Sequence, residues 1–263
     1  MTLLDTFLTD GYLRFAADDA SLAWASHALP FAAAAARDPD QGHWLRCGGT
    51  WFVGVDALPN DAQGCVASGP PLSGPAVDFI QNDLGLSLPL HRAQVSVCYP
   101  GYPQPSAEES EAAYRFRRNR DAAHVDGLLA EGPEKRRYVR EPHAYILGVT
   151  LTAQTADAAP LTVWKGSHHI MTAMFAATFA GHAPETWHDV DVTEPYQEAR
   201  RQVFASCARI ALPSAPGEAM LVHRHLVHGV APWGEQASGS PEGRMIAYIR
   251  PEFPTIGAWL SAP

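Results

Sequence analysis

Alternation of side-chain character between Ala93 and Cys98 is the sequence feature that most constrains the fold of this chain. Residues two positions apart in a β-strand point to the same face of a sheet. The segment 91–98 therefore predicts a strand that ends at a turn over 99–103. One face of this strand carries Ala93, Val95 and Val97, and the other carries Gln94, Ser96 and Cys98. A strand of this kind is stable only within a sheet, so the chain must supply pairing partners for it.

Further strands are predicted after this one, and helices flank them. β-Branched and aromatic residues indicate strands at 143–152, 161–164, 218–227 and 244–250, with two short ones within 43–56. Apolar spacing and capping residues indicate helices at 3–10, 20–36 with an interruption near Pro30, 73–84 capped by Ser73, 106–120, 167–179 and 194–208. We therefore expect a mainly β fold, a barrel or a sandwich, with helices packed on one side.

Length and composition favour a single enzyme-sized domain over 1–263. With 19 Lys and Arg against 28 Asp and Glu, the chain is acidic, which argues against a general nucleic-acid binder. The four cysteines have no paired spacing, so we expect no disulfide framework and a reducing compartment. No basic-then-apolar leader and no apolar run of about 20 residues is visible. We expect a cytoplasmic protein with a small-molecule substrate and neither a membrane nor a nucleic-acid partner.

The tripeptide His124-Val125-Asp126 and the later pair His228-Gly229 are the candidate metal ligands. Two imidazoles and one carboxylate can occupy one face of an octahedral Fe(II) ion and leave the opposite face open. An H-x-D tripeptide is common by chance and is weak evidence for a metal site alone. The downstream His-Gly pair at the end of a predicted strand strengthens that evidence. Arg244 follows that pair, and its planar fork fits the far carboxylate of a dicarboxylic acid such as 2-oxoglutarate. We predict His124, Asp126 and His228 as the metal ligands.

Other interpretations of the same residues stay open. His223 and His225 compete with His228 for the third position, although a single histidine near a strand end is more often a hydrogen-bonded structural group. The same ligand set would also suit a zinc hydrolase or an iron oxygenase that does not use 2-oxoglutarate. A catalytically silent barrel with a vestigial metal site is an alternative from another class of protein.

Four segments, taken in order, resemble motifs of the phytanoyl-CoA dioxygenase-like family of Fe(II)/2-oxoglutarate-dependent oxygenases. They are 7–13 (FLTDGYL), 124–127 (HVDG), 161–168 (LTVWKGSH) and 223–229 (HRHLVHG), the last of these followed by Arg244. The sequence differs from the family pattern at Lys165, Val230 and Trp233, and its 229–243 loop is longer. Because a polar surface loop absorbs extra length, Arg244 is preferred to Arg250 as the co-substrate arginine.

The resemblance implies a fold, cofactors and a reaction. The fold is a double-stranded β-helix (jelly-roll, cupin-like) barrel, with strands mainly in 91–165 and 209–252 and helices mainly in 1–90 and 167–208. The cofactors are Fe(II), 2-oxoglutarate as co-substrate, and dioxygen. Arg244 and Gln94 are the predicted co-substrate residues. The expected reaction hydroxylates an unactivated C–H bond of a small organic substrate, with release of succinate and CO2.

A basic cluster brackets His124 and Asp126 in the sequence. It comprises Arg115, Arg117, Arg118, Arg120, Lys135, Arg136, Arg137 and Arg140. Neighbouring acids, among them Glu108, Glu109 and Glu111, favour the interpretation that these side chains form a solvated surface. The alternative is that they attract an anionic substrate to the metal.

Overall fold

The computed structural model describes residues 1–107 and 109–263 and shows antiparallel sheets with flanking helices. Glu108, an acid of the predicted basic–acidic region, lies outside the described residues. The α-helices are α1 (Leu3–Asp10), α2 (Asp19–Arg37), α3 (Pro75–Asn82), α4 (Glu111–Asn119), α5 (Ser167–Phe179), α6 (Thr193–Ser206) and α7 (Ile256–Ser261). Short 3-10 helices cover Pro39–Trp44 and Pro184–Asp189. The predicted mainly β class with flanking helices is confirmed.

The strands form two main sheets and one hairpin. They are β1 (Tyr12–Phe15), β2 (Leu45–Arg46), β3 (Trp51–Gly54), β4 (Gln94–Cys98), β5 (Leu128–Glu131), β6 (Arg136–Val139), β7 (Tyr145–Thr150), β8 (Leu161–Trp164), β9 (Arg209–Leu212), β10 (Ala219–His223), β11 (His228–Val230) and β12 (Arg244–Ile249). The larger sheet has the order β1-β10-β7-β12-β4-β3-β2, the smaller has β11-β8-β9, and β5 pairs with β6. Strand β12 thus lies between β7 and β4.

Strand β12 shows how alternation divides the core between the two faces of the larger sheet. Met245, Ala247 and Ile249 belong to the main hydrophobic core, which also contains buried residues of α2, α3 and α5. Ile246 and Tyr248, on the opposite face, belong to a second cluster that includes residues of β8 and β9. The two sheets therefore pack face to face through this second cluster, and the predicted site lies at its edge.

Most predicted elements form, and two helices differ from the prediction. The predicted interruption near Pro30 is wrong, because α2 continues through Pro30 while its Trp24 and Ala28 face is buried. Proline costs a helix one hydrogen bond, and burial of this face offsets that loss. The predicted cap of α3 is also wrong: Gly74 is the N-cap, and no side chain bonds to the helix start.

Several elements were not anticipated from the sequence. They include β1, the β5–β6 hairpin, β9, β11 and α7, and the predicted strand 218–227 ends at His223. Strands β5 and β6 are polar and mostly exposed, so they lack the hydrophobic alternation that reveals a half-buried strand. No helix in the described part of the chain is both long and apolar enough to cross a membrane.

Candidate metal centre

His124 and His228 lie directly opposite each other in an isolated antiparallel bridge. The His124 backbone N–H donates to the carbonyl of His228 at 2.8 Å, and that of His228 donates to the carbonyl of His124 at 3.0 Å. Since directly opposed residues of an antiparallel pair project to the same face, both rings point to one side, with centroids 4.8 Å apart. The segment 124–126 is not a regular strand, because only His124 joins the bridge and Asp126 lies in the turn that follows.

Gly127 makes the turn that brings Asp126 back to the two rings. Its φ is +82°, a left-handed conformation that favours glycine, and a Cβ there would lie 2.1 Å from the carbonyl oxygen of Glu141. His124, Asp126 and His228 each offer one ligand atom, and these three atoms all lie within 4.8 Å of one another. The structure therefore brings the three predicted ligands together in a geometry that could hold a metal ion.

Backbone hydrogen bonds fix the orientation of both imidazole rings. Nδ1 of His124 is 2.9 Å from the carbonyl oxygen of Ala122, and Nδ1 of His228 is 2.9 Å from that of Leu226. A carbonyl oxygen only accepts, so each Nδ1 must donate, and in the neutral ring Nε2 then carries the lone pair. Both Nε2 atoms face Asp126 Oδ1, at 3.0 Å from His124 and 3.6 Å from His228.

Arg250 is a residue of this site that the sequence interpretation set aside. Its Nη1 donates to Asp126 Oδ2 at 3.0 Å, which leaves Oδ1 for the histidine side. Burial raises the pKa of Asp126, but Arg250 and the two rings together outweigh it and hold that pKa well below its usual range. The sequence contained one indication that Arg250 belongs to this site. Arg250 is six positions after Arg244, and residues an even number of positions apart share a strand face.

His228 carries the complementary shift. Burial lowers its pKa, but the hydrogen bond and charge of Asp126 outweigh burial, and the pKa is raised above the usual value. A metal ion needs the neutral ring, so a proton and a metal ion compete for His228.

A cavity of about 210 Å³ opens onto the three ligands. Gln94, predicted to contact the co-substrate, lines it, whereas Arg244, the other predicted co-substrate residue, is not among its lining residues. Most of the remaining wall is apolar or aromatic, formed by Trp51, Val53, Tyr102, Ile146, Leu161, Val222, Val230 and Tyr248. Such walls exclude water from the space in front of the ligands.

Arg244 is buried, with 2% of its surface exposed, and makes no ion pair with any residue in 1–107 or 109–263. Its Nη1 atom has no hydrogen-bond partner there, and neither does the hydroxyl of Tyr248. Burial raises the pKa of Tyr248, whereas the nearby charge of Arg244 lowers it, so the two groups are close neighbours. A buried charge without a partner is costly, so this pair of donors fits an anionic ligand such as a carboxylate.

His223 and His225 do not join the metal centre. They pack with His168 in a separate buried cluster, with His168–His223 and His223–His225 ring centroids 4.8 Å and 5.3 Å apart. Trp259 of α7 covers the ring of His225 at 4.2 Å. Both histidines thus lie in the hydrophobic packing beneath α1, α5 and α7, which is the structural placement that the sequence favoured for them.

This buried histidine cluster predicts a loss of stability in acid. Burial lowers the pKa of His168 to about 4 and those of His223 and His225 well below the usual 6.5. Between pH 6.5 and about 4 the unfolded chain then binds more protons than the folded one, so stability must fall as the pH falls. The urea midpoint should therefore be lower at about pH 5 than at about pH 7.

The variant His225→Leu isolates the contribution of the cluster. It removes one buried titrating ring, so the difference between the two urea midpoints should shrink. The exposed His182→Leu serves as the matched control and should leave that difference unchanged. An equal pH difference in His225→Leu and the wild type would contradict this assignment.

Two of the departures from the family pattern have visible structural roles. Lys165 forms an ion pair with Asp10 at 2.9 Å, which ties the turn before α5 to the end of α1. Trp233 packs in a cluster with Tyr102 and Val230 and donates its backbone N–H to the carbonyl of Tyr102 at 2.7 Å. The third departure, Val230, lines the cavity with an apolar side chain.

A scan against protein-family models finds no match, and a search of curated proteins finds no relative. Among solved structures, the epimerase SnoN in complex with Fe3+, alpha ketoglutarate and nogalamycin RO is similar, with a TM-score of 0.54 at 14% identity, over 95% of this chain and 82% of that chain. A structure of SnoN described as a non-heme alpha ketoglutarate dependent epimerase gives 0.52 at 14% identity with the same coverage. EctD from S. alaskensis with bound Fe gives 0.47 at 17% identity, over 95% and 75%. The SnoN comparisons show that this chain shares the fold of that enzyme.

Proposed function

We propose that this chain is an Fe(II)- and 2-oxoglutarate-dependent dioxygenase that hydroxylates an unactivated C–H bond of a small organic substrate. In this proposal residues 1–263 form one oxygenase domain, and the two packed sheets are the two halves of a double-stranded β-helix. The observation that carries it is the convergence of His124, Asp126 and His228 at the mouth of a largely apolar cavity. Two histidines and one carboxylate with an open side are the ligand set of non-haem iron oxygenases.

The buried Arg244 supports 2-oxoglutarate as the co-substrate. Its Nη1 atom and the hydroxyl of Tyr248, neither with a hydrogen-bond partner among the described residues, supply donors for a distal carboxylate inside the fold. A zinc hydrolase, which needs only a metal-bound water, gives no reason for a buried cation at this depth. SnoN, which has a similar fold, is described as a non-heme alpha ketoglutarate dependent epimerase, in keeping with this assignment.

Each residue of the site has a defined task in this proposal. His124, Asp126 and His228 would hold Fe(II), and Fe(II) with 2-oxoglutarate and dioxygen supplies the oxidising chemistry that releases succinate and CO2. The carbonyls of Ala122 and Leu226 orient the two rings, and Arg250 orients the carboxylate. The apolar walls keep water away from the reacting carbon.

We also place the chain in the phytanoyl-CoA dioxygenase-like branch of these oxygenases. The support is the order of its four motifs and the positions of their residues. Ser167 belongs to the third motif. Its Oγ accepts a hydrogen bond from the backbone N–H of Val227, the residue before His228, at 2.9 Å. The third and fourth motifs are thus in contact at the metal centre.

Anaerobic addition of Fe(II) and then 2-oxoglutarate to the wild-type protein tests the proposal. Chelation of Fe(II) by the keto acid should give a weak metal-to-ligand charge-transfer band in the visible spectrum. A metabolite panel should then contain compounds that stimulate succinate release in air. If no band forms although Fe(II) binds, the 2-oxoglutarate assignment fails and an oxygenase or hydrolase independent of it is favoured.

A further inference from the structure

A second and larger cavity, the outer chamber, adjoins the metal cavity. Its volume is about 570 Å³, and its walls include Trp44, Arg46, Trp51, Val53, Arg117 and Lys135. Trp51 and Val53 also line the metal cavity, so the two spaces meet at these side chains. A molecule that occupies both spaces passes Trp51.

The outer chamber is cationic although the protein as a whole is acidic. Among the described residues, Arg46, Arg117 and Lys135 face it together with one acid, Glu109, whereas the chain has a net charge of −9. Arg117 is paired with Glu109 at 2.8 Å, but Arg46 and Lys135 form no ion pair within the described ranges. Both are exposed, so their charges are available to a solute that enters from water. A local excess of positive charge concentrates anions at such an opening.

The structure also sorts the basic cluster found in the sequence. Arg115, Arg136 and Arg140 form ion pairs with neighbouring acids on the surface, as the solvated interpretation requires. Of the eight clustered residues, the chamber is lined by Arg117 and Lys135 alone. Arg46, far away in sequence, supplies the third cation, since β2 and β3 bring it to the same opening.

Aromatic rings provide the other half of the recognition surface. The guanidinium of Arg46 lies 5.8 Å from the ring of Trp44, and that of Arg117 lies 5.9 Å from the ring of Trp51. Each arginine is thus held beside an indole, which fixes the position of its charge. Indole walls bury apolar surface, and the adjacent cations bind a negatively charged end.

We propose that the substrate is an organic anion whose flat apolar body lies along Trp51 and whose carboxylate or phosphate is bound in the outer chamber by Arg46 and Lys135. The proposal rests on the proposed function for the identity of the metal cavity. What it adds is the charge and shape of the substrate. These can be tested by comparing the binding of charged and uncharged molecules, without any turnover.

Calorimetric titration with matched probes tests this proposal on the Fe(II)-loaded protein, kept anaerobic and saturated with 2-oxoglutarate. The probes are naphthalene-2-carboxylate, its uncharged amide and 2-naphthyl phosphate. We expect the anions to bind more tightly than the amide, by about threefold to tenfold, because exposed charges contribute weakly and are screened by salt. Comparison of the two anions shows whether a carboxylate or a phosphate is preferred.

The double variant Arg46→Gln/Lys135→Gln should abolish the preference for the anions. A matched control, Lys165→Gln/Arg201→Gln, removes the same charges at exposed positions that do not line the chamber and should retain the preference. Equal binding of carboxylate and amide, an unchanged preference in the double variant, or no binding of either anion overturns the proposal. The visible band of the same samples reports on the proposed function, so the two failures are distinguishable.

Discussion

An Arg244→Met variant is expected to lose 2-oxoglutarate binding and yet to be more stable than the wild type when no 2-oxoglutarate is present. Truncating one partner of a buried charge pair costs about 2–5 kcal/mol, so the affinity should fall by a factor on the order of 30 or more. In the ligand-free protein, however, Arg244 is a buried charge without an acidic partner among the residues described. Replacing it with an apolar side chain of similar length should raise the free energy of unfolding by about 1–4 kcal/mol.

The two effects are separated by urea unfolding with and without the co-substrate. A ligand at about 100 times its dissociation constant stabilises the folded state by about 2.7 kcal/mol. The wild type should therefore gain stability on addition of 2-oxoglutarate, and Arg244→Met, with an affinity lower by about 30-fold or more, should gain at most about 1 kcal/mol at the same concentration. The exposed Arg201→Met is the control and should behave as the wild type. If Arg244→Met is less stable without ligand, or gains as much stability from 2-oxoglutarate as the wild type, Arg244 does not have the assigned role.

A His228→Ala variant is expected to lose Fe(II) binding and with it the visible band. Changes in residues that merely support metal ligands weaken binding by about 10- to 100-fold, so removal of a ligand should exceed about 100-fold. The fold should persist, because Asp126 keeps its ion pair with Arg250 and the backbone bridge between His124 and residue 228 does not depend on the ring.

Binding of Co(II), followed by its visible spectrum, measures the ligand set without any co-substrate. The wild type should bind one ion, and His228→Ala should show little binding at the same concentrations. His169→Ala also removes one imidazole, but from an exposed position on α5, and should bind as the wild type does. Retention of wild-type Co(II) affinity by His228→Ala would rule out the assigned ligand set.

Some structural features of this chain could be predicted from short stretches of sequence, and others could not. Strands β4, β7, β8, β10 and β12 fall within predicted segments because alternation and β-branched composition depend on residues two positions apart. Helix α2 was also found, but its passage through Pro30 was not, since that depends on what its buried face packs against. Polar strands β5 and β6 carry no such local signal.

The sequence alone identified His124, Asp126 and His228 as one candidate group, because each residue type and its neighbours were visible in the chain. Tertiary structure decided how they meet: an antiparallel bridge aligns two distant histidines, and the turn at Gly127 returns Asp126 to them. It also placed His223 and His225 elsewhere and brought Arg250 to Asp126. Non-local strand pairing sets these contacts, and its register depends on packing across both sheets rather than on any short segment.

The same contrast between sequence and tertiary structure applies to the basic residues of the outer chamber. The sequence showed a basic cluster but could not separate the paired surface arginines from Lys135, and it gave no reason to join Arg46 to them. Charge, composition and alternation are properties of the linear chain, so the sequence determined the mainly β class, the residue types of the candidate ligands and the acidic balance. Which charges share one opening depends on how strands far apart in sequence pair, and only the folded chain determines that.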